Sequence, residues 1–242
     1  MAELPPIYRH AEVYDAFYEG RGRAYEDDSR MLVDCIRERN PAAATLLDVA
    51  CGTGRNLRCF AEAFEHVEGV DLADDMLRIA RGRLPGVPLH RGDMKDFRLG
   101  RRFDAITCLF SSIGYLGDAG QLNAALRCFG RHLNPGGVIV VEPWYSPENA
   151  LSGQVLGDVV TVDGQTISRL SHAVVEGRAH RMTVHYLVAD SESGIRHFTD
   201  LHVLSLFTRQ EYETAFAEAG VASVEFLETG RGRPGLLVGV KS

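Results

Sequence analysis

In the segment Leu46-Leu47-Asp48-Val49-Ala50-Cys51-Gly52-Thr53-Gly54-Arg55-Asn56-Leu57, an apolar stretch runs through two glycines, one residue apart, into a stretch of helical periodicity. A strand that turns so tightly into a helix commits the chain to a crossover: the helix packs back on the sheet and the next strand lies parallel to the first. The pattern then repeats. Thr45–Val49 predicts a strand, Arg55–Phe64 a helix, Val67–Asp71 a second strand, and Asp74-Asp75 opens a second helix. The alternation continues through Leu89, Phe103–Phe110, a helix over Gln121–His132, a Pro135-Gly136-Gly137 turn and a strand over Val138–Glu142. Together these imply an α/β fold, a doubly wound, mostly parallel sheet with helices on both faces.

Two further segments frame this core. Residues 7–39 read as two helices around Gly20 and Gly22. From Pro147 the period changes to two. Val155–Val162, Thr166–Val174, His180–Ala189 and His197–Leu206 alternate apolar and polar residues between Asp163-Gly164, Glu176-Gly177 and Ser193-Gly194, which predicts an inserted antiparallel β-meander. Thr208 with Glu211 caps a helix over Arg209–Ala219, Gly220 ends it, and two strands complete the chain. The expected organisation is a helical cap over residues 1–40, an α/β cofactor domain over 41–146 and 206–242, and a substrate-side insertion over 147–205.

At 242 residues, 45% hydrophobic and 24% charged, the chain suits one large globular unit. Its longest apolar runs, such as Val138–Val141, fall far short of the ~20 residues of a membrane-spanning helix, so no membrane partner is expected. The first ten residues carry no basic and apolar leader pattern, and five cysteines without a CxxC pair suit a reducing cytoplasm. A net charge of -7 without a basic run argues against a nucleic acid partner.

The glycines let the backbone approach a ligand, although the same spacing also serves plain tight turns. Asp71 sharpens the reading: it ends the second strand, where a carboxylate accepts from both ribose hydroxyls of a nucleotide cofactor. A dinucleotide fingerprint places a third glycine where this chain has Leu57, so NAD and FAD fit poorly. Asp48, before the loop, would repel a pyrophosphate and suits an ammonium group. S-adenosylmethionine (SAM) carries that ammonium and no phosphate. Gly92-Asp93-Met94 follows the third strand, where Asp93 could take an adenine amino group and Met94 lie on the ring, or the three could form only a turn.

Leu47–Gly54, Val70-Asp71, Gly92–Phe97 and Pro135-Gly136-Gly137 resemble class I SAM-dependent methyltransferases, whose fold is Rossmann-like. More narrowly, Leu46–Gly54, Leu89–Gly100, Phe110–Leu116, Val140–Trp144, Arg169-Leu170-Ser171-His172 and Leu206-Phe207-Thr208 look like the dTDP-deoxyaminosugar N,N-dimethyltransferases of antibiotic biosynthesis. The resemblance implies SAM as cofactor, held by Tyr14, Asp48, Ala50, Cys51, Gly52 and Gly54, and by Asp71, Leu72, Met76, Asp93, Met94 and Leu109. It implies Tyr8 and Tyr115 beside the sugar amine as the catalytic pair. Tyr25, Ser112, Glu142, Trp144, Arg169, His172 and Arg233 would then meet the nucleotide-sugar, with Arg231 an alternative to Arg233 because the arginine stands one residue further from Gly235-Leu236 than in the family.

No histidines stand at metal-binding helical spacing, and His180/His185 and His197/His202, five apart in strands, fall on opposite faces; no metal is expected. The leading expectation is an enzyme that methylates the amine of a nucleotide-linked aminosugar twice, at C-3 or C-4, by in-line transfer that rests mainly on alignment. A SAM-dependent O- or N-methyltransferase of another small metabolite, and a non-catalytic SAM-binding protein, are the rivals. A homodimer is left open.

Overall fold

The computed structural model describes residues 5–22, 24–230 and 235–242. After a single 3₁₀ turn, Pro6–Arg9, come helices α1 (Ala11–Gly20) and α2 (Tyr25–Arg39). The core alternates β1 (Thr45–Val49), α3 (Arg55–Ala63), β2 (His66–Asp71), α4 (Asp74–Arg83), β3 (Leu89–Arg91) and β4 (Phe103–Cys108). A second 3₁₀ turn, Ser112–Tyr115, precedes α5 (Ala119–Arg131) and β5 (Leu133–Val141). The meander is β6 (Gln154–Val162), β7 (Gln165–Glu176), β8 (Ala179–Asp190) and β9 (Gly194–Ser205), followed by α6 (Arg209–Glu218), β10 (Val221–Leu227) and β11 (Leu236–Lys241).

The seven-stranded sheet has the order β10-β11-β5-β4-β1-β2-β3, with β11 antiparallel to both neighbours. Alternation along β1 shows why it is apolar almost throughout: Leu46 packs towards α2, α3 and α4, whereas Leu47 and Val49 pack towards α5 and α6. The strand order reverses at β1, between β4 and β2, and ligands of open α/β sheets bind above such a reversal. The residues expected to form a turn at Pro135-Gly136-Gly137 lie inside β5. There Phe103 pairs with Leu133 but Ala105 pairs with Val138, so extra residues bulge out of β5, with Gly136 at φ +74°.

The four-stranded sheet β6-β7-β8-β9 is purely antiparallel. Its inner face, with Ile167, Val184, Tyr186 and Val188, packs on Ile7, Val13 and Phe17 of the N-terminal segment. That segment also meets α4, where Tyr8 and Tyr14 pack beside Ala11, Ala73 and Met76. The N-terminal helix is thus wedged between the meander and the cofactor side of the main sheet. Its place is fixed by Asp15, which accepts from Thr53 Oγ1 at 2.7 Å, from Arg55 at 2.7 and 2.8 Å and from Arg83 at 2.6 Å.

Glycines on two helices give opposite predictions. A Cβ on Gly130 of α5 would stand 2.5 Å from the carbonyl oxygen and 2.8 Å from the Cα of Ala219, which is backbone that cannot step aside. Gly130→Ala should therefore cost about 1–3 kcal/mol by overpacking. Gly82 of α4 has open space at its Cβ, so Gly82→Ala should add roughly 0.5–1 kcal/mol through helix propensity. Thermal melts of the two variants, shifting in opposite directions, check both.

Candidate active site

The turn after β1 is built from left-handed residues: Ala50 at φ +58°, Gly52 at +55° and Gly54 at +76°. The two glycines have different reasons. A Cβ on Gly52 would meet nothing, which leaves an open cradle over the strand ends, whereas one on Gly54 would meet Leu84 Cδ1 at 3.0 Å and Ala80 Cβ at 3.2 Å. Gly54 thus serves the approach of α3 to α4, and its N–H donates to the Cys51 carbonyl at 3.0 Å. Cys51 is buried, its side chain in the core, and only its backbone faces the turn.

Beside the cradle, Asp71 is only partly exposed, accepting from the Gly52 N–H through Oδ2 and from the Ala73 N–H through Oδ1, both at 2.8 Å. Enclosure by protein pushes its carboxyl above the ordinary value, against the pull of these amides. Asp48 is buried and accepts from Thr107 Oγ1 at 2.7 Å. Burial first, then the neighbouring charge of Asp71, push its carboxyl up to about 7, opposed by the Thr107 hydrogen bond. Two enclosed carboxylates at one strand reversal favour a cationic ligand. Leu72 is half-buried next to Asp71. Met76, 1% exposed, packs beneath Tyr8 and Tyr14. Asp93 closes its own turn on the Lys95 N–H at 3.0 Å and pairs with Lys95 Nζ at 3.2 Å, while Met94 packs against the core.

Strain marks the end of β4, where Phe110 and Ser111 both stand at φ +56°, a conformation uncommon for residues other than glycine. The Phe110 N–H donates to Glu142 Oε2 at 2.9 Å and Ser111 Oγ donates to the Pro143 carbonyl at 2.7 Å, so the turn is locked to the end of β5. Asn56, Leu109, Phe110, Glu142 and Thr229 line one recess there. Tyr25 stacks on Phe110 at 5.8 Å between centroids, with the Arg55 guanidinium 5.5 Å over its ring. Ser112 opens the 3₁₀ turn, half-buried.

That turn delivers Tyr115 to the expected partner. The hydroxyls of Tyr8 and Tyr115 lie 2.8 Å apart, and Tyr115 is also 2.6 Å from Nδ1 of His202. His202 Nε2 in turn faces Asp200 Oδ2 at 3.6 Å, and fully buried Asp200 accepts from the Ile7 N–H at 3.1 and 3.2 Å. Burial holds both phenols well above the ordinary tyrosine range. Neither His202 nor Asp200 was singled out by the sequence. The signal was available: both occupy the inward positions of β9, two residues apart.

Other expected residues divide by strand face. Arg169 of β7 lies on the inner face, within 3.3 Å of the Tyr186 hydroxyl and 6.0 Å from the Phe17 ring centre. His172 stands three positions along β7 and is exposed on the outer face with Leu170, away from Arg169. Trp144 spends its indole N–H on His180 Nδ1 at 3.1 Å, leaving ring area alone for a ligand. Arg233 and Arg231 lie outside the described residues. Among the described residues, no group of acidic, histidine or cysteine side chains is arranged to hold a metal ion, and no helix is long and apolar enough to cross a membrane.

Residues 46–137 match the model of a methyltransferase domain, the part of the chain that carries the glycine turn and both acidic residues. The chain is 52% identical over 231 residues to dTDP-3-amino-3,4,6-trideoxy-alpha-D-glucopyranose N,N-dimethyltransferase of Streptomyces venezuelae, covering 96% of this chain and 97% of that one. It is 44% identical over 243 residues to dTDP-4-amino-2,3,4,6-tetradeoxy-D-glucose N,N-dimethyltransferase of Saccharopolyspora spinosa, covering 100% and 97%. Among solved structures, SAM-bound CalS10, an amino pentose methyltransferase from Micromonospora echinaspora, superposes with a TM-score of 0.87 at 46% identity, over 95% of this chain and 97% of that one. The chain belongs to the family of dTDP-aminosugar N,N-dimethyltransferases.

Proposed function

We propose that this protein transfers two methyl groups from SAM to the amino group of a dTDP-linked amino-deoxyhexose. The observation that carries the reading is the Tyr8–Tyr115 hydroxyl pair, 2.8 Å apart, with Tyr8 packed against the segment that follows Asp71. The cofactor fits the site on its charges. SAM bears a sulfonium and an ammonium, and the cradle offers buried Asp48 and enclosed Asp71 with no cationic side chain among their hydrogen-bond partners. Asp71 would accept the ribose hydroxyls, Asp48 would balance the positive charge, and the open face of Gly52 would admit the ligand to the backbone.

When bound, the cofactor supplies an electrophilic methyl group. The protein's task is alignment, which is worth up to roughly 7–11 kcal/mol when reacting atoms are held near attack distance. Tyr8 and Tyr115 would orient the amine by hydrogen bonds, and the meander with α1 would exclude water from one side. Tyr25 on Phe110, with Glu142 in the recess below, would take the nucleotide end. Incubation with SAM and either a dTDP-3-amino- or a dTDP-4-amino-deoxyhexose, read by mass spectrometry, should show successive gains of one and two methyl groups. A product from neither sugar would overturn the substrate class.

Asp48 makes cofactor binding depend on pH. Burial pushes its carboxyl up to about 7, and a cationic ligand favours the ionised form. Affinity for S-adenosylhomocysteine (SAH), which keeps the ammonium, should therefore be level above pH 8 and fall by up to about tenfold per unit below 7. Calorimetry between pH 6 and 8.5 checks this, and Asp48→Asn should bind more weakly at pH 8 with the slope abolished.

A further inference from the structure

The chain of groups behind Tyr115 has a direction, and that direction decides what the amine meets. Asp200, fully buried and already accepting from the Ile7 N–H, cannot donate as a carboxylate, and its charge 3.6 Å away, beyond direct hydrogen-bond reach, draws the ring proton of His202 to the facing atom, Nε2. Nδ1 is then bare. At 2.6 Å from the Tyr115 oxygen it accepts the Tyr115 proton, and the 2.8 Å contact between the two phenols must be closed by the proton of Tyr8. The Tyr8 oxygen is left with lone pairs only.

The opposite order would make Tyr8 a donor aimed at the amine's lone pair, which is the electron pair that must attack. The observed neighbours favour the productive order. Facing His202 are Asp200 on its own strand, Tyr115 and Tyr8 from the two 3₁₀ turns, and Met182 across the β8 register, behind which lie Arg169 of β7 and Tyr186 of β8. Asp200 is the one carboxylate in that set.

We propose that Asp200 and His202 are positioning residues that orient the hydrogen bonds of Tyr115 and Tyr8 towards the imidazole, presenting an acceptor to the sugar amine and providing a route for the proton that must leave between the two methyl transfers. The inference rests on the substrate reading given above. After the first transfer the nitrogen is a secondary ammonium with no lone pair. Its N–H proton passes to the Tyr8 oxygen as Tyr8 gives its own proton to Tyr115 and Tyr115 gives its own to Nδ1. The products are a neutral N-methylamine, two neutral phenols and an imidazolium beside Asp200, so one proton has moved and no charge is unaccounted for. Because burial disfavours both phenolates, the protons shift together and not through a free tyrosinate. The regenerated lone pair can then attack a second SAM once it has replaced SAH.

Two measurements test this. Nitrogen-15 NMR of the imidazole in the whole, ligand-free protein should show His202 protonated at Nε2 and bare at Nδ1, and Asp200→Asn should give a mixture of tautomers. In turnover, His202→Gln, whose side chain accepts a hydrogen bond but cannot take up the proton, should slow the second transfer about tenfold and raise the ratio of mono- to dimethylated sugar. Tyr115→Phe, which removes one oxygen and tests the same chain should His202→Gln fold poorly, should give the same product ratio with SAH affinity unchanged, and the double variant should be no worse than either single one. A wild-type His202 protonated at Nδ1, or a ratio of mono- to dimethylated product in Tyr115→Phe equal to the wild type, would overturn the proposal. Failure of the wild type to methylate either nucleotide-sugar would instead sink the substrate reading, and the tautomer would still decide the direction of the chain.

Discussion

Asp71→Ala should weaken SAH binding roughly 10²-fold, with the fold intact. Each Asp71 oxygen already takes one backbone amide, Gly52 on Oδ2 and Ala73 on Oδ1, and keeps a second lone pair for a ligand hydroxyl. Two charge-assisted hydrogen bonds at about 1.5–3 kcal/mol each set the scale of the loss. The lower end, about 3 kcal/mol in total, corresponds to roughly 10² in dissociation constant. Alanine also strands the two amides, which blurs the origin of the effect. Asp71→Asn keeps one acceptor oxygen but loses the charge and sets an NH2 donor against the Gly52 or the Ala73 N–H, so it should cost at least tenfold. Calorimetry on both variants, with circular dichroism to confirm folding, decides the matter, and an unchanged affinity in Asp71→Ala would remove Asp71 from the ribose.

What the sequence disclosed about the site follows the range over which its physics acts. The glycine turn, Asp48 and Asp71 belong to a single strand-turn-helix-strand unit, in which short-range periodicity places each residue at a strand end. Even there, Gly52 and Gly54 looked equivalent in sequence. Only the neighbours of the missing Cβ separate a cradle from a helix contact. Met76 shows a similar limit: its place under Tyr8 and Tyr14 depends on α1, which approaches α4 from more than fifty residues earlier in the chain. Pro135-Gly136-Gly137 has turn composition, yet the flanking pairs of β5 with β4 absorb it as a bulge.

The proton chain was less legible still. Tyr8, Tyr115 and His202 come from three segments separated by 107 and 87 residues, and no local pattern links them. The inward alternation on β9 does mark Asp200 and His202 as buried polar residues, and buried polar residues require partners. On β7 the same alternation sets His172, which the family resemblance had carried into the site, on the exposed outer face. Phe110 and Ser111, at positive φ, leave no composition signal because neither is glycine.

The largest effect expected on turnover comes from cutting the substrate far from its nitrogen. If the nucleotide is held by Tyr25 on Phe110 and by the recess at Glu142, that remote grip helps to align the amine, so the free aminosugar should lose turnover as well as affinity. A fall of about 10³ in kcat/KM, the equivalent of roughly 4 kcal/mol, is the expected scale. The architecture supports this. Four long antiparallel strands and α1 stand beside the strand ends of the main sheet, enclosing Tyr8 and Tyr115 on the meander side, while Tyr25 and Phe110 lie towards α2. A free aminosugar would reach the tyrosines and leave the second region unfilled; dTDP alone would fill it and should compete with the full substrate. Steady-state kinetics with the free sugar, its dTDP conjugate and dTDP as inhibitor check both statements. Comparable kcat/KM for the two sugars, or no competition by dTDP, would remove the nucleotide-sugar from the function while leaving the methyltransferase fold and family untouched.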